Sequence, residues 1–573
     1  MQDKPTGMRA GLANYGDAEF SLFLRKAFIK AMGYSDEALD RPIIGITNTF
    51  SGYNACHRNV PEMIEAMKRG VMLAGGLPVE FPVISMHESF SHPTSMFLRN
   101  LMAMDVEEMI RAQPMDAVIL IGGCDKTVPA LLMAAASAKV PAILTVTGPM
   151  STGHHRGERL GACTDCRRLW GRFRAGEIGA DEIEEISGKL APTAGTCMVM
   201  GTASTMALVA EALGMMLPGG AAIPAVHADR LRHAEATGTR AVALAAAGIT
   251  PDKIMTPQAF ANALRVVHAV GGSTNALVHL AAIAGRLGIR IDLDAFDRIG
   301  ATTPVLVDLK PSGQYYMEDL HRAGGLVTVL REIRHLLHED CLTVTGRTLG
   351  ENIDAAPGGW PQDVVRPISD PIYAKGAIRV LRGNLAPNGA IIKQSAATPA
   401  LLQHTGRAVV FESLQDLERR IDSPDLDVTP SDVLVLRNAG PKGAPGMPEA
   451  GYLPIPRKLA QAGVKDMVRL SDARMSGTAF GTIVLHACPE AAVGGPIALV
   501  QNGDLIRLDV VNGRLDVLID DSELARRRAA WRPPVHENQE RGYLKLYLEQ
   551  VLQADEGCDF AFLRPSAMTS SAP

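Results

Sequence analysis

The chain has 573 residues, 47% of them hydrophobic, 21% charged and 5% aromatic, with a formal net charge of −5. That length accommodates about two to four domains around a large core, and the acidic balance argues against nucleic acid as the main partner, because phosphate binding needs a basic surface. Eight cysteines are too sparse for a disulfide scaffold, which leaves buried thiols, metal ligands or catalytic groups.

The first residues, MQDKPTGMRAGLANYG, carry no apolar core or cleavage site of a signal peptide. Ala207–Leu217 is interrupted by Glu211 and Gly214, and no apolar stretch approaches the roughly 18 residues that span a bilayer. A cytoplasmic protein without membrane or nucleic-acid partners is expected.

Along the chain, Pro42–Thr47 reads as a buried strand, followed by a Gly/Asn/Cys loop and the amphipathic helix Val60–Ala74. Val79–Met86, Ala117–Ile121 and Ala142–Val146 are further strands, each leading through a loop into a helical stretch. Such alternation predicts βαβ units around a largely parallel sheet, with ligands gathering beyond the carboxyl ends of the strands. The pattern changes near residue 375. Strands at Gly376–Val380 and Ala390–Lys393 flank Asn388-Gly389, and strands at Ile497–Val500, Leu505–Val510 and Leu515–Ile519 are separated by Asn502-Gly503 and Asn512-Gly513. Asn-Gly pairs favour hairpin turns because both residues tolerate positive φ. The expected division is an N-terminal α/β domain over 1–375 and a C-terminal β-rich domain over 376–573, with Ala355–Pro371 as the linker and a disordered tail at Thr569–Pro573.

Candidate chemistry sits in the loops. Gly122-Gly123-Cys124-Asp125-Lys126 follows a strand and precedes the helix Pro129–Ala138, so a thiol, a carboxylate and an amine arrive at a helix N-terminus, where thiolate is favoured. Cys56 lies in SGYNACH after the first strand, and Cys197 in GTCM before the helix Gly201–Leu213. Each cysteine alone is more often a buried hydrophobe. Together they are thiols at strand-to-helix loops on one sheet edge, a pattern that an iron–sulfur cluster accepts; three thiolates leave one iron coordinatively open. Cys163-x-x-Cys166 is a rival redox or zinc signal, but it lies in an Arg-rich, loop-like stretch without a second CxxC, which favours a structural or substrate-facing place. Glu88 (in His87-Glu88-Ser89), Asp125 and Glu449 (in GPKGAPGMPEAG) are carboxylates suited to Mg²⁺, or alternatively solvated acids. Ser476, between Met475 and Gly477, either presents a hydroxyl to a cleft or is an ordinary turn serine. The chain has no G-x-S-x-G elbow.

These motifs resemble the dihydroxy-acid and phosphogluconate dehydratase family of iron–sulfur enzymes. The similarity runs from about Pro42 to Leu563 and is carried in order by GGCDKTVPA, AGTCMVMGTASTM, HAVGGSTNALVHL, GPKGAPGMPE and SDARMSGTAFG. The resemblance implies an α/β domain carrying the cluster and a C-terminal β-barrel-like domain closing over it. It implies cluster ligation by Cys56, Cys124 and Cys197, and Mg²⁺ ligation by Glu88, Asp125, Glu449 and Lys126, the lysine serving only if carbamylated. Ser476 takes the position of the catalytic base. Glu88 departs from the Asp typical of the branched-chain enzymes. His87-Glu88-Ser89, the Thr164–Arg168 segment and the tail Gly542–Phe562 resemble the sugar-acid branch, the arabinonate and xylonate dehydratases.

The resemblance thus implies a hydro-lyase converting an aldonate, such as L-arabinonate or D-xylonate, to its 2-keto-3-deoxy acid. It also implies a 2Fe–2S cluster, with 4Fe–4S as the alternative, and a homo-oligomer, dimer or tetramer. Two rivals remain: a dihydroxy-acid dehydratase of branched-chain amino-acid synthesis, and an iron–sulfur sensor or thiol redox protein using Cys163 and Cys166.

Overall fold

A computed structural model describes residues 6–12, 14–537, 539–566 and 570–571. Four parallel strands, β1 (Ile43–Asn48), β2 (Leu77–Pro82), β3 (Ala117–Gly122) and β4 (Ala142–Val146), form a sheet in the order β2-β1-β3-β4. β1, β3 and β4 are buried almost throughout, as expected for near-continuous apolar runs covered on both faces. Helices Val60–Leu73, Thr127–Ala138 and Ala228–Ala247 pack on this sheet, Ser95–Ala112 and Thr202–Ala212 pack on Thr127–Ala138, and most of the buried side chains belong to one large core cluster. The α/β expectation is met, with boundaries moved by a few residues. β2 stops at Pro82, earlier than expected, and the chain continues towards Glu88.

The second sheet has eight strands. Gln403–Phe411, Val433–Leu436, Arg469–Ser471 and Ile483–Cys488 pair in parallel, with Gly389–Ile392 and Arg379–Leu381 antiparallel on one side and Leu505–Asp509 and Arg514–Val517 antiparallel on the other. Arg382 bridges to the strand Arg514–Val517, its N–H donating to the Gly513 carbonyl at 2.8 Å and its carbonyl accepting from Leu515 N–H at 2.9 Å. That contact nearly closes the sheet into a barrel around Leu381, Ile392, Val410, Val435, Leu470, Val484 and Ile506. The fold is therefore mixed α/β, a parallel sheet plus a barrel-like sheet.

Two local expectations are corrected. Ile497–Val500 is not a strand: Pro496–Leu499 forms a 3-10 turn, and its apolar side chains reach the barrel core without joining a ladder. The Cys163–Cys166 stretch is not a loop either, because Thr164–Arg174 is a helix.

The C-terminal segment returns to the first part of the chain. Arg286 donates to both Asp559 carboxylate oxygens, at 2.6 and 3.0 Å, with both side chains wholly buried. Tyr547, beside Phe97 and Phe560, accepts a hydrogen bond from Gly446 N–H at 3.1 Å and so fixes the loop that carries Glu449. Of the tail expected to be disordered, Thr569, Ala572 and Pro573 lie outside the described residues, while Ser570–Ser571 pairs with Ile289–Arg290. Among the described residues no helix is long and apolar enough to cross a membrane.

Candidate active site

The loops beyond the carboxyl ends of β1, β3 and β4 meet at one place. Cys56 follows β1 in a short turn, and Cys124 follows β3 at the entry to the helix Thr127–Ala138. Cys197 sits in a segment that runs beside the loop after β4: Thr196 N–H donates to the Gly148 carbonyl and Met150 N–H to the Thr196 carbonyl, both at 2.9 Å. Glycine is required at two points of close approach. A Cβ on Gly123 would collide with Thr147 Oγ1, and Gly195, at φ +121°, is wedged against Gly148 and Ala225.

Ligand atoms of Cys56, Cys124 and His87 lie within 4.8 Å of one another. Cys197 Sγ is 3.5 Å from Cys163 Sγ, which brings a further thiol into the group. Hydrogen bonding from Cys124 and burial push the Cys56 thiol well above its usual range; Cys163 and burial do the same to Cys197. Thiols crowded together without disulfides are the donor set of a soft, cationic metal centre, which binds cysteines as thiolates. The residues present therefore fit an iron–sulfur cluster.

His57 is a residue that sequence reasoning passed over. Its Nε2 accepts from Cys124 N–H at 3.1 Å, and its Nδ1–H donates to the Thr49 carbonyl at 2.8 Å. Burial lowers its pKa to about 4, so the ring stays neutral and orients the Cys124 loop. The adjacency to Cys56 in sequence was the available signal.

Beside the thiols is a carboxylate cage. Lys126 Nζ, wholly buried, lies 3.1 Å from Glu88, 3.3 Å from Asp125 and 3.4 Å from Glu449. Arg474, also buried, donates to Glu449 at 2.5 Å, to Glu88 at 3.0 Å and to Thr94 Oγ1 at 2.8 Å. Glu88 accepts further from Thr94, at 2.7 Å, and from Ser95. Burial alone would raise Glu88, but Lys126 and Arg474 hold it well below the usual carboxylate range; Glu449, more deeply buried, is pushed up despite the same cations. Lys126 is itself raised, since its three carboxylates outweigh burial and Arg474. Carboxylates from separate loops converging on one positive group are the oxygen-rich donor set that a hard cation such as Mg²⁺ takes. Lys126, as it stands, contributes a charge at the centre of that set rather than an oxygen. Arg474 lies inside the SDARMSG motif but was not singled out by sequence reasoning.

Ser476 lies in the turn after Arg469–Ser471. Its hydroxyl is 2.8 Å from Thr478 Oγ1, and the Thr478 carbonyl accepts from Thr164 Oγ1 at 2.9 Å, linking this turn to the helix that starts after Cys163. Gly477 packs against Ser273 and Thr202, which hydrogen-bond each other at 3.0 Å. The motif HAVGGSTNALVHL thus supports the serine turn from beneath. All the candidates expected from sequence, Cys56, Cys124, Cys197, Glu88, Asp125, Lys126, Glu449 and Ser476, fall in this region. Ser476 approaches it on the thiol side, through Thr164, and not through a hydrogen bond to the cage.

Comparison with known proteins adds the family. The model of the dihydroxy-acid/6-phosphogluconate dehydratase N-terminal domain matches residues 41–352, and that of the C-terminal domain residues 363–558. The chain is 50% identical to L-arabonate dehydratase of Azospirillum brasilense, over 96% of both chains. It is 46% identical to 6-deoxy-6-sulfo-D-gluconate dehydratase of Pseudomonas putida, over 94% of this chain and 93% of that one. With the dihydroxy-acid dehydratase of Syntrophobacter fumaroxidans it shares 41%, over 93% of this chain and 96% of the relative.

Proposed function

The chain belongs to the dihydroxy-acid/6-phosphogluconate dehydratase family, and on that premise we propose that it is a hydro-lyase that removes water from a sugar acid, a pentonate such as L-arabinonate or D-xylonate, to give the 2-keto-3-deoxy acid. The observation that carries this reading is the meeting of a thiol group and a carboxylate cage at one edge of the parallel sheet, beside the Ser476 turn. The choice of a sugar acid over a branched-chain dihydroxy acid is supported by the greater identity to the sugar-acid enzymes, 50% and 46% against 41%. It is supported too by the polar surroundings of Cys163, where Asp165, Lys310 and Tyr316 hydrogen-bond one another and Arg167 lies nearby. An isopropyl or sec-butyl side chain would call for apolar lining instead.

The thiols of Cys56, Cys124 and Cys197 would hold a 2Fe–2S cluster, and Glu88, Asp125 and Glu449 a Mg²⁺ ion. Bound there, these groups supply Lewis acidity at the departing hydroxyl and at the substrate carboxylate. Ser476 Oγ takes the proton from C2 of the substrate. A free serine hydroxyl is too weak a base for this at neutral pH, so a metal ion bound in the neighbouring cage would have to favour its alkoxide. Thr478 orients the hydroxyl, and the enol left after loss of the C3 hydroxyl tautomerises to the keto acid. Arg474 and Lys126 keep Glu88 ionised and therefore ready to bind a cation.

The test is turnover of an aldonate panel against 2,3-dihydroxyisovalerate by anaerobically purified protein, with Ser476→Ala alongside. Keto-acid formation is expected with the aldonates, and the variant is expected to lose turnover while keeping the visible absorbance of the cluster. Full activity of Ser476→Ala would rule out the serine, and exclusive turnover of dihydroxyisovalerate would move the chain to the branched-chain reaction.

A further inference from the structure

Away from the thiols and the cage, two histidines and an aspartate converge at the start of the helix Ala228–Ala247. His227 and Asp229 belong to that start, and His321 comes from the short helix Met317–Arg322. His227 Nδ1 lies 3.4 Å from Asp229 Oδ2, His321 Nε2 lies 4.0 Å from the same oxygen, and ligand atoms of all three fall within 4.8 Å of one another. A tetrahedral metal with bonds of about 2.0–2.2 Å to nitrogen and oxygen holds neighbouring donor atoms roughly 3.4 Å apart. The first pair already has that spacing, and the second has to close by about 0.6 Å.

The plainer reading of His227 is a helix cap, since its Nδ1 accepts from Asp229 N–H at 3.2 Å, and Asp229 also pairs with Arg232. Neither role accounts for His321, whose Nε2 faces the same carboxylate from another element, too far away for a hydrogen bond. The carboxylate is divided between its neighbours. Oδ1 faces Arg232, which fixes its orientation as an outer partner of a metal ligand does, and Oδ2 faces both imidazoles. The helix dipole opposes a cation at this end, and the Asp229 charge offsets it. His227 is exposed and the other two are half-buried, so a metal can enter from solvent. Asp229 and His321 also line a pocket of about 440 Å³ with Arg232 and His233, which gives water access to a fourth coordination position.

We propose that His227, Asp229 and His321 form a further metal site, separate from the thiols and the cage, for a late first-row divalent cation of the zinc class. Two imidazoles favour such an ion over Mg²⁺ or Ca²⁺, which take oxygen. Bound there, it clips the helix Met317–Arg322 to the helix Ala228–Ala247. The clipped helix also holds Arg159 through Glu318 and Asp319, at 2.7 and 2.9 Å, and follows Tyr316, which donates to Asp165. The clip therefore fastens an element bordering the helix Thr164–Arg174.

The experiment is anaerobic equilibrium dialysis of untagged, iron- and Mg²⁺-loaded protein against ZnCl₂, with zinc counted and its X-ray absorption edge recorded, for the wild type, His227→Ala and His321→Ala. Expected is one zinc per chain with nitrogen and oxygen at about 2.0–2.1 Å and the outer-ring scattering of imidazole. Each variant should bind zinc at least about tenfold more weakly. Sulfur at about 2.3 Å in the wild type would place the zinc on the thiols and overturn the proposal. So would unchanged affinity in either variant, or no zinc above the buffer level. Should one variant fail to fold, the other and the wild-type edge decide. The dehydratase reading stands apart from each of these results, because it is read from aldonate turnover.

Discussion

The carboxylate cage and the thiol group are neighbours built on opposite electrostatic plans. In the cage, Glu88, Asp125 and Glu449 are met by Lys126 and Arg474, both wholly buried, so the chain offsets most of its own charge there. In the thiol group no comparable cation stands between the sulfurs among the described residues; Cys56 and Cys197 are pushed well above the usual thiol range by their neighbours and by burial. The cage is held largely by the chain's own cations before any metal binds, whereas the thiols become good ligands only when a cation arrives from outside. The two halves should therefore respond differently to loss of one side chain.

The largest effect is expected in the cage. Arg474→Met leaves Glu88 and Glu449 short of a buried partner, and breaking such a pair costs about 3–5 kcal/mol. Thermal unfolding of metal-free protein measures this, and added MgCl₂ should raise the melting temperature of the variant more than that of the wild type. A variant that melts like the parent would break the comparison at its first term.

The two plans differ also in how much of each was legible in the sequence. Cys56, Cys124, Asp125 and Lys126 stood out because strand, glycine and chemistry-bearing residues follow one another within a few positions. Arg474 did not, since an arginine buried against carboxylates from distant loops looks in sequence like any other charged residue. His57 was hidden for a similar reason, as its partners Thr49 and Cys124 are brought to it by the pairing of β1 with β3. The strands β1, β3 and β4 were readable because apolar runs buried on both faces have little alternative. Ile497–Val500 has the same apolar character, but Gly494, Gly495 and Pro496 turn the chain so that its side chains fill the barrel core without a ladder. The helix Thr164–Arg174 was masked by its arginines; only Leu169 and Phe173 mark its inward face.

A pH-dependent effect sharpens the meaning of charge balance. Lys393 is as buried as Lys126, but its Nζ donates only a long hydrogen bond to the Gly477 carbonyl, at 3.5 Å, among the described residues, and burial lowers its pKa to about 7. Unfolded, it would titrate near 10.4. Between those values the unfolded chain binds the extra proton, so this residue makes stability rise with pH through that window, by at most about 1.4 kcal/mol per pH unit. Below pH 7 both states are protonated and the full penalty of burying the charge is present. Lys393→Met should remove that slope, gaining on the wild type as the pH falls from 10 to 7 in denaturant titrations. Parallel stability curves for the two proteins would mean that Lys393 finds a counter-charge after all.

The smallest change in stability should accompany the largest change in metal content. Cys124 is a small, buried side chain outside any disulfide. Cys124→Ala should therefore cost only ~1 kcal/mol, the central value for a point substitution. The same variant removes one member of the Cys56–Cys124 pair, so iron retained after desalting should drop to background, while Arg474→Met should retain it. Unfolding midpoints and iron analysis on the same preparations check both halves at once. If Cys124→Ala destabilised the apoprotein as much as Arg474→Met does, the thiol group would be part of the structural framework and not a seat waiting for a metal. If it kept its iron, the other sulfurs, Cys163 among them, would suffice to hold it.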